Sequence, residues 1–282
     1  MSLIIIQQAL AQAQEKLTAI ADNPALEAEL LLAHALNKPR SYLHTWPTQS
    51  IPDDALTRFQ QNLKRRCNKE PIAYIIGAQE FWSLPLIVTP DTLIPRPETE
   101  LLVELVLTTF PECDTPRKIA DLGTGSGAIA LALANERPQW QIHAVDCSDK
   151  ALQIAQKNAE QLGFHHISFH HGNWCTALPE TDFDAIISNP PYIAETEWAQ
   201  YADGLAFEPY QALVSGKDGL EAIREISQAA AGYLKPGGAL FIEHGFLQGA
   251  AVREIVAAAG YVSIQTIRDL SGQERVTVGY FG

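Results

Sequence analysis

From Lys118 to the C-terminus, apolar runs of strand length alternate with amphipathic stretches of helical length, and that alternation leaves few architectures open. The runs are 118–122, 141–145, 167–170, 185–188 and 239–243, and helical periodicity fills 126–136, 148–162, 218–234 and 247–259. Strands separated by helices pair in parallel, and the helices cover both faces of the sheet. The last two runs, 263–268 and 275–280, follow each other with no helix between them, so they pair antiparallel at one edge. The expected fold is α/β, with a seven-stranded, mostly parallel sheet and an antiparallel edge.

The first seventy residues carry a different pattern. Ser2 can cap a segment with Ile6, Leu10, Ala13 and Leu17 at helical spacing. Asp22 to Pro24 is a start signal for a second helix, with Leu26, Leu30, Ala33 and His34 on one side. Asp53 and Asp54 open a third helix that runs to about Asn68 with Leu56, Phe59 and Leu63 as its stripe. Pro39, Pro47 and Pro52 separate the pieces. Beyond Pro71, 72–77 and 84–88 read as two short strands of a hairpin. Leu101 to Phe110 reads as a helix begun by Pro97 and acidic residues. The expected division is a helical domain over 1–70, a hairpin linker over 71–95 and the main domain over 96–282.

Composition narrows the function classes. A net charge of −13 argues against a protein that grips phosphate backbones over a broad face. The basic cluster Lys64, Arg65, Arg66 and Lys69 reads as a solvated helix end. Cys67, Cys113, Cys147 and Cys175 show no paired spacing, as expected of reduced thiols. The apolar run 3–6 has neither a basic flank nor a cleavage site. No stretch approaches the roughly 20 apolar residues that span a bilayer. A cytoplasmic protein with no membrane partner is expected.

The strand 119–122 runs into Gly123-Thr124-Gly125-Ser126-Gly127, and a helix leaves that turn. Glycines at the carboxyl end of a first strand let the backbone approach a ligand closely. The spacing is G-x-G-x-G rather than the G-x-G-x-x-G of dinucleotide binders, and Asp121 precedes it. A carboxylate there suits a cationic amino-acid ligand such as the methionine portion of S-adenosylmethionine. Asp146 ends the next strand, placed to accept from both ribose hydroxyls of an adenosine ligand or to cap the following helix. NAD makes the same demand, so Asp146 alone leaves both ligands open. Trp174 can lay an aromatic face near an adenine or pack in the core. His165, His166, His170, His171 and Cys175 would be scattered over both faces of a strand, and no metal is expected.

The strand 183–188 enters Asn189-Pro190-Pro191-Tyr192. Consecutive prolines stiffen the backbone and remove two N–H donors, leaving carbonyls free to accept. The Asn189 side-chain oxygen and the Pro190 carbonyl could both accept from one NH₂ group, with Tyr192 packed on its plane. An NH₂ held this way presents its lone pair to a methyl donor. The group could belong to a protein side chain or to a nucleic-acid base flipped into the same clamp. A third reading, an NAD-dependent protein of the same fold class, is disfavoured by the glycine spacing. No general base stands beside Asn189 in sequence, so the expected mechanism is positioning.

Together with Leu93-Ile94-Pro95-Arg96-Pro97-Glu98-Thr99-Glu100, Glu208-Pro209 and 234–238, these motifs resemble the HemK/PrmC family of release-factor glutamine methyltransferases. The resemblance covers at least Pro71 to the C-terminus. It implies a class I (Rossmann-like) S-adenosylmethionine-dependent methyltransferase fold with a small N-terminal helical domain. It also implies a protein substrate, the glutamine of the Gly-Gly-Gln loop of peptide chain release factors, with no direct nucleic-acid binding. By resemblance, Gly123, Thr124, Gly125, Ser126, Gly127, Asp146, Trp174 and Asn189 contact the cofactor. Asn189, Pro190, Pro191 and Tyr192 hold the glutamine amide, with Asn189, Pro190 and Tyr192 acting in catalysis. The N-terminal domain carries no recognised motif and is expected to recognise the protein substrate.

Overall fold

The computed structural model describes residues 4–282 and divides into two units between Ala78 and Gln79. Five helices build the first unit: α1 (Ile6–Leu17), α2 (Pro24–Leu36), α3 (Arg40–Thr45), α4 (Asp53–Cys67) and α5 (Ile72–Ile76). Ser2, the expected cap of α1, lies outside the described residues. Asn23 caps α2 by accepting from the Leu26 N–H at 3.1 Å, with Pro24 in the first turn. The buried face of α2 is Ala28, Leu31, Leu32, Ala33 and Ala35, while His34 is exposed. The expected stripe through Leu26 and Leu30 is thus rotated, because α2 is apolar nearly all round and its periodicity is weak. Helix α3 was not anticipated, being too short to show a period. Lys64, Arg65 and Arg66 of the basic cluster form the last turn of α4 and Lys69 follows it; Arg65 pairs with Glu70 and Arg66 with Glu27.

Residues 72–76, expected as a strand, are helical. Gly77 closes that helix at φ +78°, donating to the Ala73 carbonyl at 2.7 Å. A short apolar run does not reveal its period, so only the flanking Pro71 and Gly77 carried the helical signal. The hairpin begins one element later, with β1 (Ala78–Phe81) and β2 (Leu84–Ile87). Its turn residues Trp82 and Ser83 both have positive φ, 51° and 60°, matching the twist of a two-residue hairpin.

A 3₁₀ turn (Pro97–Thr99) leads into α6 (Glu100–Thr109). The chain then runs β3 (Lys118–Leu122), α7 (Ala128–Glu136), β4 (Gln141–Asp146), α8 (Asp149–Leu162), β5 (Ile167–His171) and β6 (Phe183–Ser188). It continues through α9 (Trp198–Leu205), α10 (Glu221–Ala230), β7 (Leu234–Glu243), α11 (Gly249–Ala258), β8 (Tyr261–Arg268) and β9 (Glu274–Phe281). The seven-stranded sheet has the order β5-β4-β3-β6-β7-β9-β8. All pairs are parallel except β9 with β7 and with β8, as the helix-free link between the last strands requires.

Alternation along the strands sorts the core into two layers. Ile119, Ile142, Ile187 and Phe241 join Leu102, Val106 and Leu131 from α6 and α7. Ala120, Val145, Ile186 and Ile242 join Ile223, Ile226 and Val252 from α10 and α11. Strand β6 is buried at every residue, as expected of a central parallel strand covered on both faces. Among the described residues no helix is long and apolar enough to cross a membrane.

Candidate active site

Strand order places the site. The chain leaves β3 toward β4 and β5 on one side, then returns to β6 on the other. Ligands bind in α/β sheets where the order reverses in this way, beyond the carboxyl ends of the strands. Leu122 pairs with Val145 and with Ser188, so Gly123, Asp146 and Asn189 leave three neighbouring strands side by side. The Ser188 hydroxyl donates to the Leu122 carbonyl at 2.7 Å and ties the two strand ends together.

A cavity lies there, at the switch point where small-ligand sites form in such sheets. Gly123, Gly125, Asp146, Trp174, Asn189 and Pro191 line it. Gly123 has φ +75°, and a Cβ on it would sit 3.2 Å from the Trp174 ring, so only glycine lets the indole lie against that turn. The ring is held by its Nε1–H donating to Glu225 at 3.2 Å.

Thr124, Ser126, Gly127, Pro190 and Tyr192 do not line the cavity. Thr124 donates its hydroxyl to Asp121 Oδ2 at 2.7 Å, and the Ser126 carbonyl accepts from Asn158 at 2.9 Å. Gly127 begins α7 at φ +87°, where a Cβ would meet Leu131 at 3.0 Å and Ala155 at 3.2 Å. Thr124, Ser126 and Gly127 build the glycine turn from behind, and Pro190 and Tyr192 lie outside this cavity.

Asp121 is fully buried, so the surface for a cationic ligand expected of it is not offered. Its Oδ2 also accepts from the Ala130 N–H at 3.2 Å, and its Oδ1 has no partner. Burial pushes its carboxyl up to about 7 against those two hydrogen bonds, with the charge of Asp146 adding to the rise. Asp146 faces the cavity and is raised by burial too, against hydrogen bonds from the Ser148 and Gly125 N–H groups. Both donors stand at 2.8 Å, one to each oxygen. Ser148 itself caps α8, accepting from Ala151.

Several lining residues were not anticipated. Asp91, Thr92 and Leu93 come from the turn after β2, and Pro209, Gln211 and Ala212 from the loop after α9. Glu208 joins these two segments: one oxygen accepts from the Ile94 N–H at 3.0 Å, and the other pairs with Arg96. The Ile94–Glu100 and Glu208-Pro209 motifs are therefore two halves of one wall. Behind the clamp, Gln248 donates to the Tyr192 carbonyl at 3.0 Å. Gly219, at φ +75°, allows an approach that a Cβ would block at 2.3 Å from that carbonyl.

The order of strands, the glycine turn with its neighbouring acid and the Asn-Pro-Pro-Tyr segment at the switch point define a Rossmann-like S-adenosylmethionine-dependent methyltransferase. Residues 8–77 match the PrmC N-terminal domain family and 98–216 the methyltransferase small domain family. A release factor glutamine methyltransferase from Coxiella burnetii is 46% identical over 280 residues, 99% of this chain and 100% of the relative. One from Vibrio cholerae is 46% identical over 99% of this chain and 97% of its own. A solved Thermus thermophilus 16S rRNA methyltransferase, in complex with AdoMet and guanosine, shares the fold (TM-score 0.55, 19% identity, 73% of this chain and 50% of that one). The chain belongs to the release factor glutamine methyltransferase family, and its methyl donor is S-adenosylmethionine.

The cavity fits that donor. It offers a carboxylate for hydroxyl donors at Asp146, an aromatic face at Trp174 and a glycine backbone with no side chain in the way.

Proposed function

We propose that the chain methylates the side-chain amide nitrogen of the glutamine in the Gly-Gly-Gln loop of peptide chain release factors, with Asn189 and Pro190 as the acceptors that hold that amide. One observation carries the reading. Asn189 leaves the sheet at the switch point beside Gly123, and it donates only from Nδ2, to Thr99 at 3.0 Å. Among the described residues nothing donates to its Oδ1 or to the Pro190 carbonyl. Two acceptors on a proline-stiffened backbone match the two N–H donors of a primary carboxamide.

When bound, S-adenosylmethionine supplies an electrophilic methyl group. The residues of this chain orient the acceptor. A carboxamide nitrogen is a poor nucleophile because its lone pair is delocalised, so holding it in line is the main contribution. Hydrogen bonds from its NH₂ to Asn189 Oδ1 and the Pro190 carbonyl strengthen as positive charge develops on nitrogen. The proton then leaves to solvent. Gln248 holds the Tyr192 backbone by donating to its carbonyl at 3.0 Å, and the ring is assigned to pack on the amide plane. Gly123, Gly125, Asp146 and Trp174 would hold the donor, with Thr124, Ser126 and Gly127 shaping the turn beneath it.

We assign recognition of the release factor to the helical N-terminal unit. A substrate that works on the ribosome puts the reaction in the cytoplasm, and no nucleic-acid substrate is required. Incubation with purified release factors and labelled methyl donor, followed by mapping of the modified residue, tests the assignment. Label on the Gly-Gly-Gln glutamine is expected, and label elsewhere or none would refute it.

A further inference from the structure

Three glycines with positive φ leave the turn after β3 with little rigidity of its own: Gly123, Gly125 and Gly127 stand at φ +75°, +58° and +87°. A cavity that meets its ligand in one shape needs such a turn held from outside. Asp146 holds it on the cavity side through the Gly125 N–H. Asn158 holds it from behind. This side chain lies on α8 and is 1% exposed. Its Nδ2 donates to the Ser126 carbonyl at 2.9 Å and to the Ile87 carbonyl at 3.0 Å, and its Oδ1 accepts from the Ile87 N–H at 2.7 Å. A backbone N–H only donates and a carbonyl only accepts, so these partners fix the orientation of the amide and use both of its N–H groups.

Ile87 ends β2, and the chain beyond it supplies Asp91, Thr92 and Leu93 to the cavity. That wall is tied at both ends, at Ile87 by Asn158 and at Ile94 by Glu208. One asparagine therefore joins the 91–93 wall to the glycine turn. We propose that Asn158 is a positioning residue for the methyl donor, setting these two walls in register before the donor arrives. This rests on the placement of the donor in this cavity. A second link between α8 and the wall, Lys150 with Asp91 at 3.1 Å, is exposed on both sides and adds little. Without the Asn158 amide, the Ile87 N–H and the two carbonyls lose their partner, and the walls sample other spacings. The donor then binds only those molecules whose walls are aligned, so its apparent Kd rises by the inverse of that fraction. Bound donor restores the alignment, and transfer from the saturated enzyme keeps its rate.

The test uses the full chain with Asn158→Leu and Asn158→Asp, and with Asp146→Ala as a check on the cavity. Leucine is close to asparagine in shape and removes all three hydrogen bonds. Aspartate keeps an acceptor for the Ile87 N–H but loses the NH₂ and sets a carboxylate against two carbonyls. Calorimetry with S-adenosylhomocysteine and steady-state kinetics at saturating release factor are read below each variant's thermal midpoint. In both variants the Kd for S-adenosylhomocysteine and the KM for S-adenosylmethionine should rise roughly tenfold or more, with kcat within about threefold of wild type; a tenfold rise corresponds to about 1.4 kcal/mol. A loss of general stability would lower the midpoint and the active fraction without this split. Wild-type Kd and KM in either folded variant would overturn the proposal, as would a fall in kcat at unchanged KM. If neither variant folds, hydrogen exchange of the Ile87 amide in the wild-type chain decides. Slow exchange without ligand is expected, whereas loop-like exchange that slows only on adding S-adenosylhomocysteine would overturn it. If Asp146→Ala binds S-adenosylhomocysteine as wild type does, the cavity reading itself fails. If Asp146→Ala binds weakly while the Asn158 variants bind as wild type does, only the positioning role is lost.

Discussion

Asp146 Oδ2 accepts the backbone N–H of Gly125 at 2.8 Å, so the acid that ends β4 holds the glycine turn that follows β3. The same carboxylate accepts from Ser148 through Oδ1. Of the two expected roles, the cap of α8 falls to Ser148, and Asp146 braces the glycine turn instead. Each carboxylate oxygen has a second lone pair for a hydroxyl donor, and the two backbone bonds hold the group still to receive it.

The first prediction follows. Asp146→Ala removes a charge-assisted acceptor worth on the order of 1.5–3 kcal/mol per bond and releases the turn. Affinity for S-adenosylhomocysteine, measured by calorimetry, should fall roughly tenfold to a hundredfold. Asp146→Asn should be nearly as poor, because its NH₂ must face either the Gly125 or the Ser148 N–H, donor against donor. Wild-type affinity in the asparagine variant would show that the charge and both acceptors are dispensable.

The layout of this site was legible where local signals sufficed. The β3–Gly123 turn and the β6–Asn189 turn each announce a strand, a break and a glycine or proline, and the antiparallel edge followed from a missing helix. The wall around Thr99 and Glu208 was visible only as a family signature, since Glu208 meets Ile94 across 114 residues and no local pattern encodes that pairing. Asp121 was misjudged for a related reason. A carboxylate at a strand end looks like a ligand contact until α7 is seen to close over it. The helix at 72–76 and the buried face of α2 were missed because short or uniformly apolar segments carry no readable period.

Glu243 provides a pH test of the buried network. Burial pushes its carboxyl up to about 7, against the Thr99 hydroxyl, the Arg275 guanidinium and the Tyr192 hydroxyl, while Glu98 adds to the rise. An acid whose folded value lies above its unfolded value, here 4.5, binds its proton more tightly when folded. Its contribution therefore falls as pH rises from about 4.5 to about 7 and stays low above that. The upper bound of that loss is about 3 kcal/mol. Chemical denaturation of wild type at pH 5 and pH 8 should show a difference that shrinks by roughly 1–3 kcal/mol in Glu243→Gln. Asp121, also raised to about 7, contributes in the same direction in both proteins. Parallel profiles for the two proteins would mean that Glu243 does not titrate in this window.

The second unit contains both layers of the sheet core and every residue that lines the cavity. A fragment of residues 79–282 should therefore bind S-adenosylhomocysteine within a few-fold of the full chain. If the helical unit recognises the substrate, the same fragment should methylate intact release factor at least tenfold more slowly at low substrate concentration, the loss expected from about 1.4 kcal/mol of missing binding energy. Undiminished kcat/KM on intact release factor would remove the recognition role from residues 1–78.

The chemistry of the clamp makes the sharpest distinction between a carboxamide and any other acceptor. Changing the target glutamine of the release factor to glutamate deletes both N–H donors and brings a negative charge toward Asn189 Oδ1 and the Pro190 carbonyl. Two acceptors facing a carboxylate have no proton to share, and the lost hydrogen bonds and the desolvated charge are both costly. Methylation should fall to background. Asparagine at the same position keeps the carboxamide but is one methylene shorter, so it should fail through misplacement by about an ångström. An adenine offers an exocyclic NH₂ with the same two donors, and the clamp alone would not reject it. Rejection must come from the walls around it and from the net charge of −13, which disfavours approach of a polyanion. DNA offered in single- or double-stranded form at equal concentration should take no label while release factor is labelled on its glutamine. Transfer to adenine with release factor inert would move the substrate from protein to nucleic acid while leaving the role of Asn189 unchanged.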